Sequence, residues 1–251
     1  MDNERTMEVF MDIQRGLPRQ GPGNYESTRR ALGLCTALPH HPSILDLGCG
    51  PGMQSLALAE ISRGFVTAID LHQEYLDELK KRAQAASLSD RVTPMLGDMG
   101  ALKIKPGSFD LIWTEGAAYI IGVERALKTW KSLLKPQGYI GLSELLWLSE
   151  DPPQEVRRFF QEMYPPMGNI DTNLALFEKS GYRVVGHFTL PDRAWWDDFY
   201  SPLQAKLPAL REKYRNDALA LSYVDMTSKE IELRQKFGAT YGYEFFVAQN
   251  A

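Results

Sequence analysis

Cysteine is scarce in this sequence, since Cys35 and Cys49 are the only two among 251 residues. Two thiols are too few for a disulfide framework, so we expect both to be reduced in a cytoplasmic protein. The four histidines show no metal-ligand spacing to cysteines or acidic residues. A metal site is therefore not expected.

Long apolar runs and an excess of basic residues are also missing. No apolar run approaches the roughly 20 residues that span a bilayer, and the first residues lack the apolar stretch of a signal peptide. The net charge of −4 offers no basic surface for nucleic acid or an anionic membrane. We expect neither partner, and 251 residues suit one α/β domain with a substantial core.

Strand-like and helix-like patterns alternate up to residue 144, which predicts a mostly parallel sheet with covering helices. Strands are expected at residues 43–47, 65–70, 91–96, 109–114 and 138–144. Helices are expected at residues 53–62, 73–87 and 123–134.

The pattern changes after residue 150, where proline pairs interrupt the chain at 152–153 and 165–166. A helix is expected before Gly181. The later elements are a sixth strand at 182–190, helices near 202–215 and 217–237, and a final strand at 241–249. We predict one domain over residues 1–251, with an N-terminal segment at 1–42 and a helical insertion at about 191–240 between strands six and seven.

The most informative stretch is a glycine loop, residues 48–52, directly after the first strand. It contains Gly48, Gly50 and Gly52, and Asp46 lies two residues before the first of them. Glycine permits positive φ and close approach of the backbone to a ligand, so the strand can turn sharply into the next helix. The N-terminus of that helix offers N–H groups to a polar ligand.

The loop could be a dinucleotide site, a tight structural bend or another cofactor site. A G-x-G-x-x-G fingerprint would place its third glycine at position 53, which is Met53, whereas the glycine comes one residue earlier at Gly52. Asp70 follows the second strand about twenty residues on, where such folds hold ribose hydroxyls. With Asp46, these residues resemble the cofactor site of class I S-adenosylmethionine (SAM)-dependent methyltransferases.

The resemblance covers nearly the whole chain and extends to a subgroup of small bacterial methyltransferases whose substrates are mostly unassigned. It is carried by residues 19–23, 113–124, 191–195 and 241–245. It implies a Rossmann-like, seven-stranded sheet in which the last strand runs antiparallel between the fifth and sixth. It also implies that the N-terminal glycine segment folds over the cofactor, with Gln20 and Gly21 as contacts, although a flexible turn is the other interpretation.

Acidic residues follow four of the first five strands, and ligands of open α/β sheets bind at such carboxyl ends. The strand ends carry, in order, Gly48, Asp70, Asp98, Glu115 and Glu144. We expect Asp70, followed by Leu71, to accept hydrogen bonds from the ribose of SAM. The resemblance implies that Asp98 lies on the adenine side, with Met99 against the ring. Asp46 is expected to orient the loop or to bind the amino group indirectly.

Methyl transfer needs in-line approach and, for some acceptors, a general base. The candidates are Glu115, Tyr119, Glu144 and His187. The position of Glu115 faces the methyl-transfer centre in the family, yet this residue could equally orient substrate or cap a helix. His187 lies in the middle of a strand, where histidines are more often structural.

Signatures of particular substrates are missing. No Asn/Asp-Pro-Pro-Tyr/Phe motif follows strand four, and two cysteines are too few to hold arsenic, so a small-molecule acceptor remains. Five aromatic residues could line an apolar pocket or pack the insertion onto the sheet: Trp147, Trp195, Trp196, Phe199 and Tyr200. The insertion could be a lid or a homodimer contact, and a non-catalytic SAM-binding module is the alternative to an enzyme.

Overall fold

The structure, a computed structural model, describes residues 2–250, with side chains from residue 4 onward. Its seven strands form one sheet in the order β3-β2-β1-β4-β5-β7-β6. The strands are β1 Ser43–Leu47, β2 Phe65–Asp70, β3 Val92–Leu96, β4 Phe109–Glu115, β5 Leu134–Trp147, β6 Tyr182–Thr189 and β7 Tyr241–Asn250. All pairs are parallel except those of β7, which runs antiparallel to β5 and β6. The predicted fold class is confirmed, including the position of the last strand.

Helices cover both faces of the sheet. They are α1 Asp2–Gln14, α2 Tyr25–Gly33, α3 Met53–Ser62, α4 Gln73–Ala85, α5 Val123–Lys131, α6 Gln154–Met163, α7 Ile170–Lys179, α8 Arg193–Trp195, α9 Ser201–Lys213 and α10 Ala218–Phe237. A π-helical turn, Trp196–Tyr200, joins α8 to α9, and a 3-10 turn, Ala118–Ile120, follows β4. The predicted bounds of α3 are confirmed. The helices α1, α2 and α6 and the three-residue α8 have no counterpart among the predicted elements.

The predicted helix at 123–134 is wrong at its C-terminal end. The structure ends α5 at Lys131 and begins β5 at Leu134, three residues later. Leu134 pairs with Phe109 of β4 and is buried, so the sheet takes a residue that also fits the apolar spacing of the helix. Periodicity alone does not separate the two uses of a single buried leucine.

Three apolar clusters hold the layers together. One lies beneath α2, α3 and α4 on one face of the sheet, and a second lies beneath α5 and α7 on the other. The third joins α1, α6, α9 and α10 to the last strand at Tyr241. Residues of α1, α6 and α10 line one cavity together with residues at the carboxyl ends of the central strands, and this cavity is the candidate site.

The insertion at 191–240 belongs to the third cluster. Trp195, Phe199 and Tyr200 are at most 6% exposed, and Trp195 packs edge-on against Tyr241, with ring centroids 5.9 Å apart. These aromatic residues therefore pack the insertion onto the sheet and onto α1. Because these three side chains are buried, they offer no exposed aromatic surface for the predicted homodimer contact, which stays a prediction.

Among residues 2–250, no helix combines the length and apolarity needed to cross a membrane.

Candidate functional site

A cavity of about 340 Å³ lies at the carboxyl ends of β1, β2, β4 and β5. The N-terminal segment, α6 and α10 close its other sides. Its size falls in the range of small-molecule sites, about 300–1,000 Å³. The cavity has a cofactor end, next to the glycine loop and β2, and a far end, next to β5 and α6.

Two of the three glycines of the loop line this cavity. Gly48 and Gly50 have φ values of 69° and 52°, a region that glycine adopts without steric cost. A Cβ on Gly48 would lie 2.5 Å from the Cβ of Ala117, and a Cβ on Gly50 would lie 3.2 Å from Cγ of Gln20. Neighbouring side chains therefore fill the space that any larger residue would need.

The third glycine has a different role. Gly52 has a φ of 82° and does not line the cavity. A Cβ there would lie 2.1 Å from Cδ1 of Leu79 on α4. Gly52 thus lets Leu79 of α4 pack closely against the start of α3, and its predicted contact with a cofactor stays a prediction.

Asp70 fixes the glycine loop from the end of β2. Its Oδ2 accepts a hydrogen bond from Gly50 N–H at 2.8 Å, and its Oδ1 accepts one from His72 N–H at 3.0 Å. The carboxylate lines the cavity and each oxygen can accept further bonds. The structure places Asp70 where the predicted ribose contact requires it, and that contact stays a prediction.

Asp46 lies beneath the loop and outside the cavity lining. Its carboxyl group is fully buried and accepts a hydrogen bond from Oγ of Ser55 on α3. Desolvation by burial raises the pKa of Asp46 to about 7. Of its two predicted roles, orienting the loop agrees with this geometry, because the contact ties β1 to α3.

The segment after β3 contributes apolar rather than acidic side chains. Met99 is 6% exposed and lines the cavity, as does Leu71 after β2. The carboxylate of Asp98 is exposed, accepts a hydrogen bond from Gly100 N–H at 2.7 Å, and is not among the lining groups. Asp98 therefore acts as a turn cap in this structure, and its predicted adenine contact stays untested.

A buried ion pair fastens the N-terminal segment to β4. Nη1 of Arg19 lies 2.8 Å from Oε2 of Glu115, and both side chains are nearly buried, at 5% and 6% exposure. Oε1 of Glu115 accepts hydrogen bonds from Oγ1 of Thr28 at 3.0 Å and Nε1 of Trp113 at 2.9 Å. With both oxygens occupied, Glu115 is poorly suited to the predicted role of general base and holds the segment in place.

The same segment covers the glycine loop, in the position that the resemblance implies. Gln20 and Gly21 line the cavity, and Oε1 of Gln20 accepts a hydrogen bond from the Tyr75 hydroxyl at 2.8 Å. Arg19 also lines the cavity, and its Nε is buried without a partner among the described residues. Sequence reasoning missed Arg19, because its partner lies 96 residues away.

The far end of the cavity is acidic and phenolic. Glu144 on β5 is 2% exposed and accepts a hydrogen bond from the Tyr164 hydroxyl at 2.7 Å. Burial raises the pKa of Glu144 to about 7. The ring of Tyr119 lies edge-on to that of Tyr164, with centroids 5.5 Å apart, and Glu230 of α10 completes this wall. Glu144 and Tyr119 both line the cavity, and their catalytic roles stay predictions. Glu144 does not end its strand as predicted, because β5 continues to Trp147. Tyr164 and Glu230 were missed.

His187 lies elsewhere. Its Nδ1 is 2.6 Å from Oε1 of Glu244, whose other oxygen accepts a hydrogen bond from Thr189 at 2.6 Å. None of the three lines the cavity. The structure therefore gives His187 a contact between β6 and β7 and offers it no path to an acceptor.

The apolar wall of the cavity comes from α6 and not from the five predicted aromatic residues. Phe159, Phe160 and Met163 of α6 line the cavity, together with Phe10 of α1. None of the five predicted aromatic residues is part of the lining. No helix is predicted at 154–163, between the two proline pairs, although the apolar positions of this run recur at helical spacing.

The comparisons with known proteins agree with this geometry. Residues 44–138 match the methyltransferase domain family. The chain is 27% identical over 104 residues to a 27-O-demethylrifamycin SV methyltransferase of Amycolatopsis mediterranei. These residues make up 41% of the chain and 38% of that protein. The chain spans less than half the length of several curated relatives that it matches.

Two solved structures share the fold over nearly the full length. A SAM-dependent methyltransferase of Geobacter sulfurreducens, in complex with S-adenosylhomocysteine, has a TM-score of 0.79 at 23% identity, with 98% of each chain covered. The protein YjhP of E. coli has a TM-score of 0.83 at 19% identity, covering 97% of this chain and all of that one. Together with the matched domain, these likenesses show the fold that the sequence predicted, that of the class I SAM-dependent methyltransferases.

Proposed function

We propose that the protein transfers a methyl group from SAM to a small-molecule acceptor. The observation that carries this proposal is that one continuous cavity joins the glycine loop to a second, chemically different end at β5 and α6. A module that only binds the cofactor needs the first end alone. The far end gives an acceptor a place beside the cofactor.

The cofactor end suits SAM better than a dinucleotide. The N–H groups of Gly48 and Cys49 both donate to the Ile69 carbonyl, and that of Gly50 donates to Asp70. These amides are therefore not free to bind a pyrophosphate. Among the described residues, four carboxylates and one arginine line the cavity: Asp70, Glu115, Glu144, Glu230 and Arg19. That balance repels a dianion and suits a sulfonium, an ammonium and ribose hydroxyls.

Each residue at the cofactor end has a proposed role in binding SAM. When bound, SAM supplies an electrophilic methyl group on a positively charged sulfur. Asp70 would accept hydrogen bonds from the ribose, while Leu71 and Met99 would pack against the adenine. The unpartnered Nε of Arg19 suits the carboxylate of the cofactor. Gln20 would cover the site from above and limit access of water.

The mouth of the cavity suits an acceptor with an apolar body. Five partly exposed apolar side chains line it, with exposures between 44% and 58%: Phe10, Leu71, Tyr119, Ile120 and Met163. Exposed apolar groups that converge on a cavity mark a binding site more often than chance exposure. Where the acceptor must lose a proton, Glu144 is the group placed to take it.

Titration calorimetry with SAM and with NAD tests the cofactor. We expect saturable binding of SAM, and binding of NAD alone would refute the proposal. Turnover is tested by incubating the protein with labelled SAM and metabolite extracts, with the Asp70→Ala variant as control. Label transferred only by the wild-type protein supports the enzyme, whereas counts equal to the control in every extract support a non-catalytic SAM-binding module.

We also propose that the protein acts in the cytoplasm, in agreement with two buried cysteines that form no disulfide. The homodimer stays a prediction, which light scattering tests directly.

A further inference from the structure

The far end of the cavity contains a carboxyl group that lacks a counter-charge. Glu144 is 2% exposed, and Tyr164 donates to its Oε1. Its Oε2 is buried and has no hydrogen-bond partner among the described residues. A buried carboxylate is costly unless it is paired. The group is therefore ready to accept a positively charged or proton-donating ligand.

The surroundings of Glu144 reinforce this polarity. Glu230 lines the same end, and its Oε1 accepts a hydrogen bond from the Tyr200 hydroxyl at 2.6 Å. Among the residues with described side chains, Arg19 is the only arginine in the lining, and Glu115 already neutralises it. No lysine among the described residues lines the cavity. Within this cavity, a phosphate or carboxylate on the acceptor would find no cation other than Arg19, whereas Arg125 and Lys128 lie in the neighbouring cavity that Glu144 also borders.

The order of the strands separates these acids from the cofactor end. The glycine loop follows β1 and Asp70 ends β2, whereas Glu144 lies on β5, two positions beyond β1 in the sheet. Glu230 of α10 lies near the same phenols as Glu144, because both carboxyl groups act on Tyr119 and Tyr243. The two acids therefore border the space left for the acceptor.

We propose that the acceptor is a small amine, whose ammonium group docks between Glu144 and Glu230 beside the rings of Tyr119 and Tyr164. This inference rests on the proposed methyl transfer and names its substrate class. The ammonium N–H groups would donate to the carboxylates, and the aromatic faces would add cation–π attraction. The apolar rim would hold the body of the amine.

The reaction balances without a further reagent. The ammonium first gives a proton to the carboxylate of Glu144, which leaves a neutral amine with a free lone pair. That pair forms the new nitrogen–carbon bond to the methyl group, while the carbon–sulfur bond breaks and its electron pair stays on sulfur. The products are a methylated ammonium and a neutral thioether, and Glu144 later releases its proton to water.

The titration behaviour of this end gives a readout that does not depend on turnover. Burial raises the pKa of Glu144 to about 7, and burial also raises that of Glu230. The phenols that face them, Tyr119, Tyr164 and Tyr243, have pKa values raised above 10 and stay neutral near pH 7. Binding of an ammonium at pH 7 should therefore release protons from the carboxyl groups.

The test uses calorimetry on the full-length protein saturated with S-adenosylhomocysteine. The probes are matched sets of small alkyl and aryl amines, their alcohols of equal shape and their carboxylates. We expect one or more amines to bind at least about tenfold more tightly than the matching alcohol, as for a charge-assisted hydrogen bond. Titrations in two buffers of different ionisation enthalpy should show proton release on amine binding.

Glu144→Gln should reduce the preference for amines to less than about threefold and abolish most of the proton release. Glu155→Gln is the matched control, because Glu155 lies on α6 and pairs with Lys229 and Lys236 outside the cavity. It should behave as the wild type. Melting temperatures test whether both variants fold. If Glu144→Gln does not fold, Glu230→Gln takes its place.

Alcohols or carboxylates that bind as tightly as the amines would overturn the inference, as would a panel in which no amine binds. A preference that survives in both Glu144→Gln and Glu230→Gln would do the same. Failure of SAM and S-adenosylhomocysteine to bind the wild-type protein would instead overturn the proposed function. The two failures are therefore distinguishable.

Discussion

The ion pair between Arg19 and Glu115 should be a main attachment of the N-terminal segment. In Arg19→Met, the apolar stem remains but the carboxylate of Glu115 loses its counter-charge in a buried environment. Breaking such a pair costs about 3–5 kcal/mol. Thr28 and Trp113 still donate to the carboxylate, so we expect the lower end, about 3 kcal/mol. For a domain of this size that is a fall in melting temperature of about 6–12 °C.

Urea denaturation measures the loss of stability, and Arg15→Met provides the matched control in the same segment. Arg15 is 52% exposed and pairs with Asp12 and Glu74 at the surface, where ion pairs contribute about 1 kcal/mol or less. A double-mutant cycle of Arg19→Met with Glu115→Gln should show a coupling free energy of about 2 kcal/mol.

Hydrogen exchange distinguishes local opening from global loss. If the pair fastens the segment, Arg19→Met should speed up amide exchange of residues 17–24, relative to the wild type, more than that of β1 and β4. SAM should also bind more weakly to the variant. A loss below about 1 kcal/mol, or one equal to that of Arg15→Met, would refute the reasoning. So would unchanged exchange in the segment.

Three further predictions concern the glycine loop and the acids near it. Gly52→Ala should destabilise the protein by more than about 2 kcal/mol in thermal melts, because residue 52 has a positive φ and the added methyl group would clash with Leu79 of α4. Gly33→Ala is the control: nothing lies near the added methyl group, so stability should change by less than about 1 kcal/mol. Burial raises the pKa of Asp46 to about 7, so the folded state binds more protons than the unfolded state, and wild-type stability should fall as pH rises from about 4 to about 7. Asp46→Asn should flatten this dependence of the free energy of unfolding on pH. The same slope in both proteins would refute this. Asp70→Ala should weaken SAM binding by about 1–3 kcal/mol in calorimetry. Asp98→Ala removes an exposed turn cap and should weaken SAM binding less. A larger loss in Asp98→Ala would make Asp98, and not Asp70, the main carboxylate that binds SAM.

The sequence was sufficient for the parts of the fold that neighbouring residues specify. The bounds of β1, β2 and α3 follow from apolar runs and from glycines that permit the turn between strand and helix. The position of β7 follows from the family resemblance, not from any property of residues 241–250 themselves. The helix α1 was missed because its apolar positions are buried only by contact with α9 and α10. The helix α6 was missed although its apolar positions recur at helical spacing, and Phe160 on it packs against Trp147 of β5 and Tyr241 of β7.

The candidate site shows the same difference between what the sequence determines and what only the tertiary structure decides. Sequence by itself determined the positions of the glycine loop and Asp70, because ligands of an α/β sheet gather at strand ends. It also named Glu144, but it ended strand five there, three residues before β5 ends in the structure. Only the tertiary structure decided that Gly52 packs against a helix and that Glu115 is held by Arg19. It also decided that Tyr164, 20 residues away, donates to Glu144. Backbone conformation depends on neighbouring residues, whereas the burial and partners of a charged side chain depend on chain segments that meet only after folding.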